Sequence, residues 1–436
     1  MEMKLKQSEY NFIYDDLGKD QIVMYNSFTG ALAVVKEEQY RQFTAYLESG
    51  KEIEDKTFLD NLLKCGYLLP AGVDERFLIK TRMLQGRYRN DVLSLTIAPT
   101  MACNFRCIYC FEQGYYGTKL MDEETQESVV NFVEKHVSKI KVLNITWYGG
   151  EPLLGLSVIE NLSEKFLTLC KENNVQYTSC IVTNGYLLSK EVAKILKNNK
   201  VNFAQVTIDG NKEVHDKRRP LLDGSGTYDV IMRNMIELDG ILSVSLRINV
   251  DYKNINNVDS VVSYIKKYNM LKYVSPYLGL VIPYNENYID ERCLSSQVYS
   301  KYNLEFIIKN NLSTRMMYPN PKVNYCGADY MNSWVIDDKG HMYKCWNDIG
   351  VSDRRIGNIN NSKNYIQSTD LLEKYSFFDP TVEKECRNCK MLPICLGGCP
   401  HNRLAGRKIC EYKRFYMKDY LLKYTESVLR KKKESV

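Results

Sequence analysis

The feature that most constrains this chain is a repeated alternation through its central part, in which short apolar runs of strand length are separated by longer stretches of helical periodicity. Six runs, at 92–98, 143–148, 179–183, 203–208, 244–250 and 274–282, are rich in Val, Ile, Leu and Phe. Between them lie amphipathic segments at 122–140, 157–173, 189–197, 228–238 and 258–268. Near-continuous apolar strands with helices between them imply a parallel sheet covered by helices, because a parallel connection must cross back over the sheet. Six such units predict an α/β fold, a partial (β/α)6 TIM-like barrel, with its chemistry at the carboxyl ends of the strands. At 436 residues the chain exceeds one ordinary core, so further domains are expected on either side.

Reactive residue types recur at those strand ends. The first run is followed at once by Cys103, Cys107 and Cys110, spaced C-x3-C-x2-C. Three thiolates on one short loop can hold three corners of a cubic [4Fe-4S] cluster and leave the fourth iron without a protein ligand. The same residues also read as a zinc knuckle or as three buried thiols. The second run ends in Trp147-Tyr-Gly149-Gly150-Glu151-Pro152, where paired glycines allow close backbone approach to a ligand and a carboxylate can receive an ammonium group. The third ends in Thr183-Asn184-Gly185, the fourth in Thr207-Ile-Asp209-Gly210, and the fifth carries Arg247 and Asn249. Any one of these reads equally well as a turn; their recurrence on successive strands behind a cysteine loop does not. Gly224-Ser-Gly226 follows no strand and reads as a flexible connection, not a phosphate loop.

A C-x3-C-x2-C loop after a first strand resembles the radical S-adenosylmethionine (SAM) enzymes. The resemblance implies an open iron that chelates the methionine moiety of SAM, and cleavage of SAM to a 5'-deoxyadenosyl radical by the reduced cluster. It assigns Cys103, Cys107 and Cys110 as cluster ligands and Gly149, Gly150 and Glu151 to the SAM amino group. Asn184, Thr207, Asp209 and Arg247 fall to the ribose, the methionine carboxylate or a substrate. His215-Asp216 is similar to a segment common in that family, although a lone loop histidine is more often structural. No general base is assignable.

The second strong signal is Cys326-x13-Gly340-x4-Cys345, then Cys386-x2-Cys389-x5-Cys395-x3-Cys399, then Cys410. Seven cysteines exceed what one zinc needs. The spacing resembles the seven-cysteine SPASM domain, which carries two auxiliary [4Fe-4S] clusters and brings the expected total to three. The resemblance assigns Cys386, Cys389, Cys395 and Cys410 to a fully ligated distal cluster, and Cys326, Cys345 and Cys399 to a proximal one. Residues 316–325 lack the further cysteine that closes the proximal cluster in the fullest form of the pattern. An open iron able to take a substrate thiolate is one reading; Cys293 or an oxygen ligand at that position is the other.

Residues 1–85 read as a separate unit, with β-rich runs near 11–14, 21–25 and 31–35 and helical patterns at 37–47 and 55–65. Strands plus two or three helices predict a winged-helix-like module. It looks like the domains that capture the leader of a precursor peptide by strand addition in front of peptide-modifying radical SAM enzymes. The remaining domains are expected at 90–312, the radical SAM core, and 313–425, the cysteine-rich Fe-S domain, with a basic tail at 426–436.

The net charge of +6 is modest and partly reflects residues 430–433, read as a solvated helix end, so no nucleic-acid partner is expected. No apolar run reaches the roughly 18 residues that span a bilayer, and the first residues lack a signal peptide, so the expected location is the cytoplasm, with no membrane partner. In a reducing compartment, 14 cysteines point to metal rather than disulfides. Cys65, Cys170, Cys180 and Cys293 stand singly and read as small buried hydrophobes.

The leading function is maturation of a ribosomal precursor peptide by an intramolecular cross-link, best a thioether, with flavodoxin or ferredoxin as electron donor. Carbon-carbon or carbon-oxygen cross-linking is close behind. Sulfatase activation through formylglycine is a second enzyme reading, against which stands Trp346 directly after Cys345, where those enzymes carry an acidic residue. A zinc-stabilised binding protein is the non-enzyme reading.

Overall fold

The structure is a computed structural model that describes residues 4–434 apart from 16, 19, 284–287 and 289. Residues 1–3 of the first module and 435–436 of the basic tail lie outside the described residues. The chain forms two compact units, one of residues 1–87, 296–326 and 378–436, the other of 88–295 and 327–377.

In the first unit, β1 (Leu5–Gln7) and β5 (Leu68–Pro70) pair antiparallel, while β2 (Asn11–Tyr14), β3 (Gln21–Asn26) and β4 (Leu32–Lys36) form a three-stranded antiparallel sheet. Helices Glu37–Ser49 and Lys56–Lys64 turn Phe43, Phe58 and Leu62 into one core with Ile22, Met24 and Tyr67. Asp55 starts the second helix by accepting from the Phe58 amide, as an N-cap aspartate does. The first helix ends at Gly50, whose φ of 73° closes its last turn in the left-handed region. A second core joins Tyr25 of β3 to Met391, Ile394, Met417 and Leu421, so the last cysteine-rich segment packs against the antiparallel sheet. Helix Met417–Glu434 carries the basic run 430–433 at its end, where cations oppose the helix dipole favourably.

The second unit holds the alternation predicted above. Strands β6 (Val92–Ile97), β7 (Val142–Trp147), β8 (Gln176–Thr183), β9 (Val201–Thr207), β10 (Ser243–Val250) and β11 (Val274–Leu280) are parallel and lie side by side in chain order. Helices follow each of the first five, so the fold is mixed α/β with a central parallel sheet, the open (β/α)6 arrangement. Asp122, Ser189 and Asn211 cap three of these helices through their side chains. The strands are less uniformly apolar than expected. Leu93, Leu95 and Ile97 of β6 and Leu143, Ile145 and Trp147 of β7 are buried on one face. The other face carries a lateral polar ladder in register, Ser94, Asn144 and Thr178, joined by side-chain hydrogen bonds.

Three further strands extend this sheet beyond its first member. β12 (Ser333–Ile336) pairs parallel with β6, β13 (His341–Tyr343) returns antiparallel to β12, and β14 (Gly357–Asn358) pairs with β13. The extension covers the edge β6 would otherwise leave open. Its tight turn needs Gly340, at φ 78°. Among the described residues no helix is long and apolar enough to cross a membrane.

Candidate active site

A cavity of about 300 Å³ opens at the carboxyl ends of the parallel strands. Cys103, Cys107 and Cys110, on the loop after β6, all line it. Burial pushes their thiols up, Cys110 to about 12; the Arg219 guanidinium opposes the effect at Cys107.

Tyr109, between the second and third cysteines, ties the loop to the sheet. Its hydroxyl donates to Asp209 Oδ2 (2.6 Å) and accepts from Arg219 Nη1 (2.8 Å) and Asn249 Nδ2 (3.1 Å). Arg218 crosses the Tyr109 ring and bonds Asp209 (3.0 Å) and Asp251 (2.5 Å), so two buried carboxylates face two buried guanidinium groups. Such a network is tolerable only because its charges are paired.

Gly149 and Gly150 line the cavity, and their need for glycine comes from the protein itself. A Cβ on Gly150 would stand 2.3 Å from the Ala102 carbonyl oxygen, and one on Gly149 2.5 Å from that of Thr100. The end of β7 is thus pressed against the base of the cysteine loop, with the Glu151 amide donating to the Ala102 carbonyl at 2.8 Å.

The Glu151 side chain is held by the protein itself. Fully buried, its carboxylate accepts from Thr183 Oγ1 (2.7 Å), the Asn184 amide (2.7 Å) and the Leu153 amide (3.0 Å), and it is not among the lining groups. These three bonds brace β7 against β8. Asp209, held by Tyr109 and Arg218, likewise does not line the cavity.

Asn184, Thr207, Arg247 and Asn249 do line it. Asn184 also bonds Asn104 on the cysteine loop (2.8 Å). Arg247 donates to Asn249 Oδ1 at 2.6 Å and lies over Gly279 of β11, where a Cβ would meet its Nε at 2.5 Å.

His215 has a structural place. Fully buried, it takes the Asp209 amide on Nδ1 (3.2 Å) and faces Thr227 Oγ1 with Nε2 (3.0 Å). The Thr227 hydroxyl spends its proton on the Arg219 carbonyl, so Nε2 carries the hydrogen and the ring is neutral. Burial, reinforced by Arg219, lowers its pKa to about 3. Asp216 caps helix Tyr228–Glu237 by accepting from the Thr227 and Tyr228 amides.

Tyr148, of the second strand-end motif, also lines the cavity, and so do Arg219, Glu112 and Trp346, which lie beyond those motifs. Burial raises the Glu112 carboxyl to about 8. The Tyr148 and Trp346 rings lie 5.1 Å apart at a tilt of 33°, and Trp346 follows Cys345 in the turn after β13. The doubled Arg218-Arg219 and the aromatic inside the cysteine spacing were the visible signals.

In the first unit, Cys386, Cys389, Cys395 and Cys410 line one small cavity with Arg414. Cys326 and Cys399 lie near Tyr325 in the same unit, where burial raises the phenol far above its usual range. Cys345 belongs to the second unit and is buried. Cys170 is buried, whereas Cys65, Cys180 and Cys293 are half-buried.

The donor set fits a [4Fe-4S] cluster and SAM at the strand-end cavity. Three thiols are presented from one loop, and beside them are Arg247, backbone at two glycines, and polar atoms without a partner among the described residues, Glu112 Oε1 and Arg219 Nε.

The sheet and the cysteine loop have the radical SAM fold, and residues 97–258 match the Radical SAM superfamily. The family implies a [4Fe-4S] cluster and SAM. The chain is 26% identical over 348 residues to the cysteine-type anaerobic sulfatase-maturating enzyme of Clostridium novyi, across 71% of this chain and 88% of that protein. In fold it is similar to native anSMEcpe with bound AdoMet and Cp18Cys peptide (TM-score 0.60, 24% identity, 78% of this chain and 98% of that one). It is similar also to Streptococcus suis SuiB bound to precursor peptide SuiA (TM-score 0.54, 15% identity, 93% and 98%).

Proposed function

We propose that this chain is a radical SAM peptide maturase that installs an intramolecular cross-link, a thioether, in a ribosomally made precursor peptide. The observation that carries the reading is the convergence of Cys103, Cys107, Cys110, Gly149, Gly150 and Arg247 on one cavity at the strand ends. When bound there, cluster and SAM together supply a 5'-deoxyadenosyl radical that abstracts hydrogen from the substrate. The three thiolates hold the cluster. Backbone carbonyls at Gly149 and Gly150 take the SAM ammonium, while Asn184, Thr207 and Arg247 orient its ribose and carboxylate. Glu151 and Asp209 act behind them as positioning residues through Asn184 and Tyr109.

In this reading Cys386, Cys389, Cys395 and Cys410 hold one auxiliary cluster. Residues 1–85 capture the leader peptide, for which β2 and β4 offer the two edges of the antiparallel sheet. Reducing electrons come from a flavodoxin or ferredoxin. The similarity to SuiB over 93% of this chain supports a peptide partner.

Formylglycine formation is the second reading, favoured by the similarity to the Clostridium novyi enzyme. Trp346 in the cavity wall, where an acidic residue is expected for that chemistry, weighs against it.

Anaerobically reconstituted protein given SAM and a strong reductant is expected to release 5'-deoxyadenosine, and the Cys103→Ala/Cys107→Ala/Cys110→Ala variant to release none. Colourless protein carrying zinc, or full activity in that variant, overturns the reading. Co-expression with a short cysteine-bearing peptide encoded in a neighbouring frame should give a product lighter by two hydrogens. Conversion of a sulfatase peptide to formylglycine instead selects the second reading.

A further inference from the structure

Arg414 is an exposed residue at the rim of the four-cysteine cavity in the first unit. Its Nη1 donates to Cys410 Sγ at 3.1 Å, and its charge also acts on Cys389 and Cys395. Cys395 in turn accepts the Glu411 amide, which fixes 410–411 against the other thiols. Arg403 and Lys322 add charge near Cys386 and Cys395, but the hydrogen bonds and ion pairs of the nearest cations go elsewhere. Lys408 is paired with Glu385, and Arg403 donates to the Gly398 carbonyl (2.7 Å) while stacking on Phe378. Among the described residues no carboxylate pairs with Arg414. A guanidinium that forgoes a carboxylate for a sulfur is placed to act on whatever that sulfur holds.

We propose that Arg414 sets the reduction potential of the cluster held by Cys386, Cys389, Cys395 and Cys410, raising it through a charged hydrogen bond to the Cys410 sulfur. The inference rests on the reading above that these four thiols hold a cluster. One-electron reduction by an external low-potential donor leaves the cluster one charge more negative. A cationic N–H on a ligating sulfur stabilises that form more than the oxidised one, as hydrogen bonds to cluster sulfurs do.

The test is an anaerobic redox titration of the reconstituted full-length chain, followed by electron paramagnetic resonance, with iron and sulfide counted in every variant. The signal of this site is the one lost in Cys386→Ala/Cys389→Ala. Arg414→Gln is expected to keep the metal count and to lower the reduced-to-oxidised ratio at a set potential by roughly tenfold, about 59 mV for one electron. Arg414→Lys should recover part of the shift. An unchanged midpoint in Arg414→Gln with the cluster present overturns the proposal, as does loss of the cluster from both Arg414 variants, which would make the residue a requirement for assembly. If Cys386→Ala/Cys389→Ala keeps every signal and all its iron, the four-cysteine reading itself has failed and the proposal falls with it.

Discussion

At the scale of single residues, the site depends on groups whose ordinary chemistry has been overridden by burial. His215 is the plainest case, a ring held neutral by an amide on one nitrogen and a hydroxyl on the other. Its folded pKa of about 3 lies below the value near 6.5 of an unfolded chain. Between those values the unfolded state binds the extra proton. The stability His215 contributes is therefore complete above about pH 6.5 and declines as the pH falls toward 3, by about 1.4 kcal/mol per unit at most. Unfolding free energies from urea titrations run anaerobically at pH 7.0 and 5.5 should differ by about 1 kcal/mol more in the native chain than in His215→Gln. Equal differences would mean that the ring titrates in the fold as it does in the unfolded chain, and a difference of opposite sign that the fold holds it protonated. Glu151 teaches the same lesson from the acidic side. Its type and place were visible along the chain, but two of its three donors, Thr183 and Asn184, come from the end of the neighbouring strand and the third from Leu153 just after Glu151, and only the paired strands bring them together.

At the scale of elements, the decisive contact is between the end of β7 and the loop that carries the first three cysteines. Gly150→Ala would drive a Cβ to 2.3 Å from the Ala102 oxygen, an atom of the main chain that cannot swing aside. The expected cost is about 3 kcal/mol, together with loss of iron from the loop. Gly72→Ala, which meets nothing within 4 Å, should change stability by no more than about 0.5 kcal/mol. Comparison of unfolding midpoints and bound iron in the two variants checks this. The glycine pair was legible in the sequence, and so was a reason for it, close backbone approach. The partner was not, because the Ala102 carbonyl reaches Gly150 only after two strands have paired.

At the scale of the molecule, the parallel sheet does not end with its six alternating units. Strands β12 to β14 continue it from β6, and Lys344 locks the addition in place. That ammonium, 2% exposed, donates to the carbonyls of Tyr330, Met331 and Ser333. Lys344→Met would leave those carbonyls buried without their charged donor, at a cost of about 3 kcal/mol. Hydrogen exchange should quicken across 333–358 while β7 to β10 keep their protection; uniform loosening would show that the extension is not a separate unit of stability.

What the sequence determined by itself was whatever repeats or sits close along the chain: the six strand-and-helix units, whose periodicity is local, and the cysteine spacing, which presents three thiols from one loop wherever that loop ends up. Tertiary structure alone decided the rest. Tyr109 finds Asp209 across 100 residues, and β12 finds β6 across some 240. No local pattern encodes such pairings, because they are selected by the edges and unpaired polar groups that remain once the six units have packed.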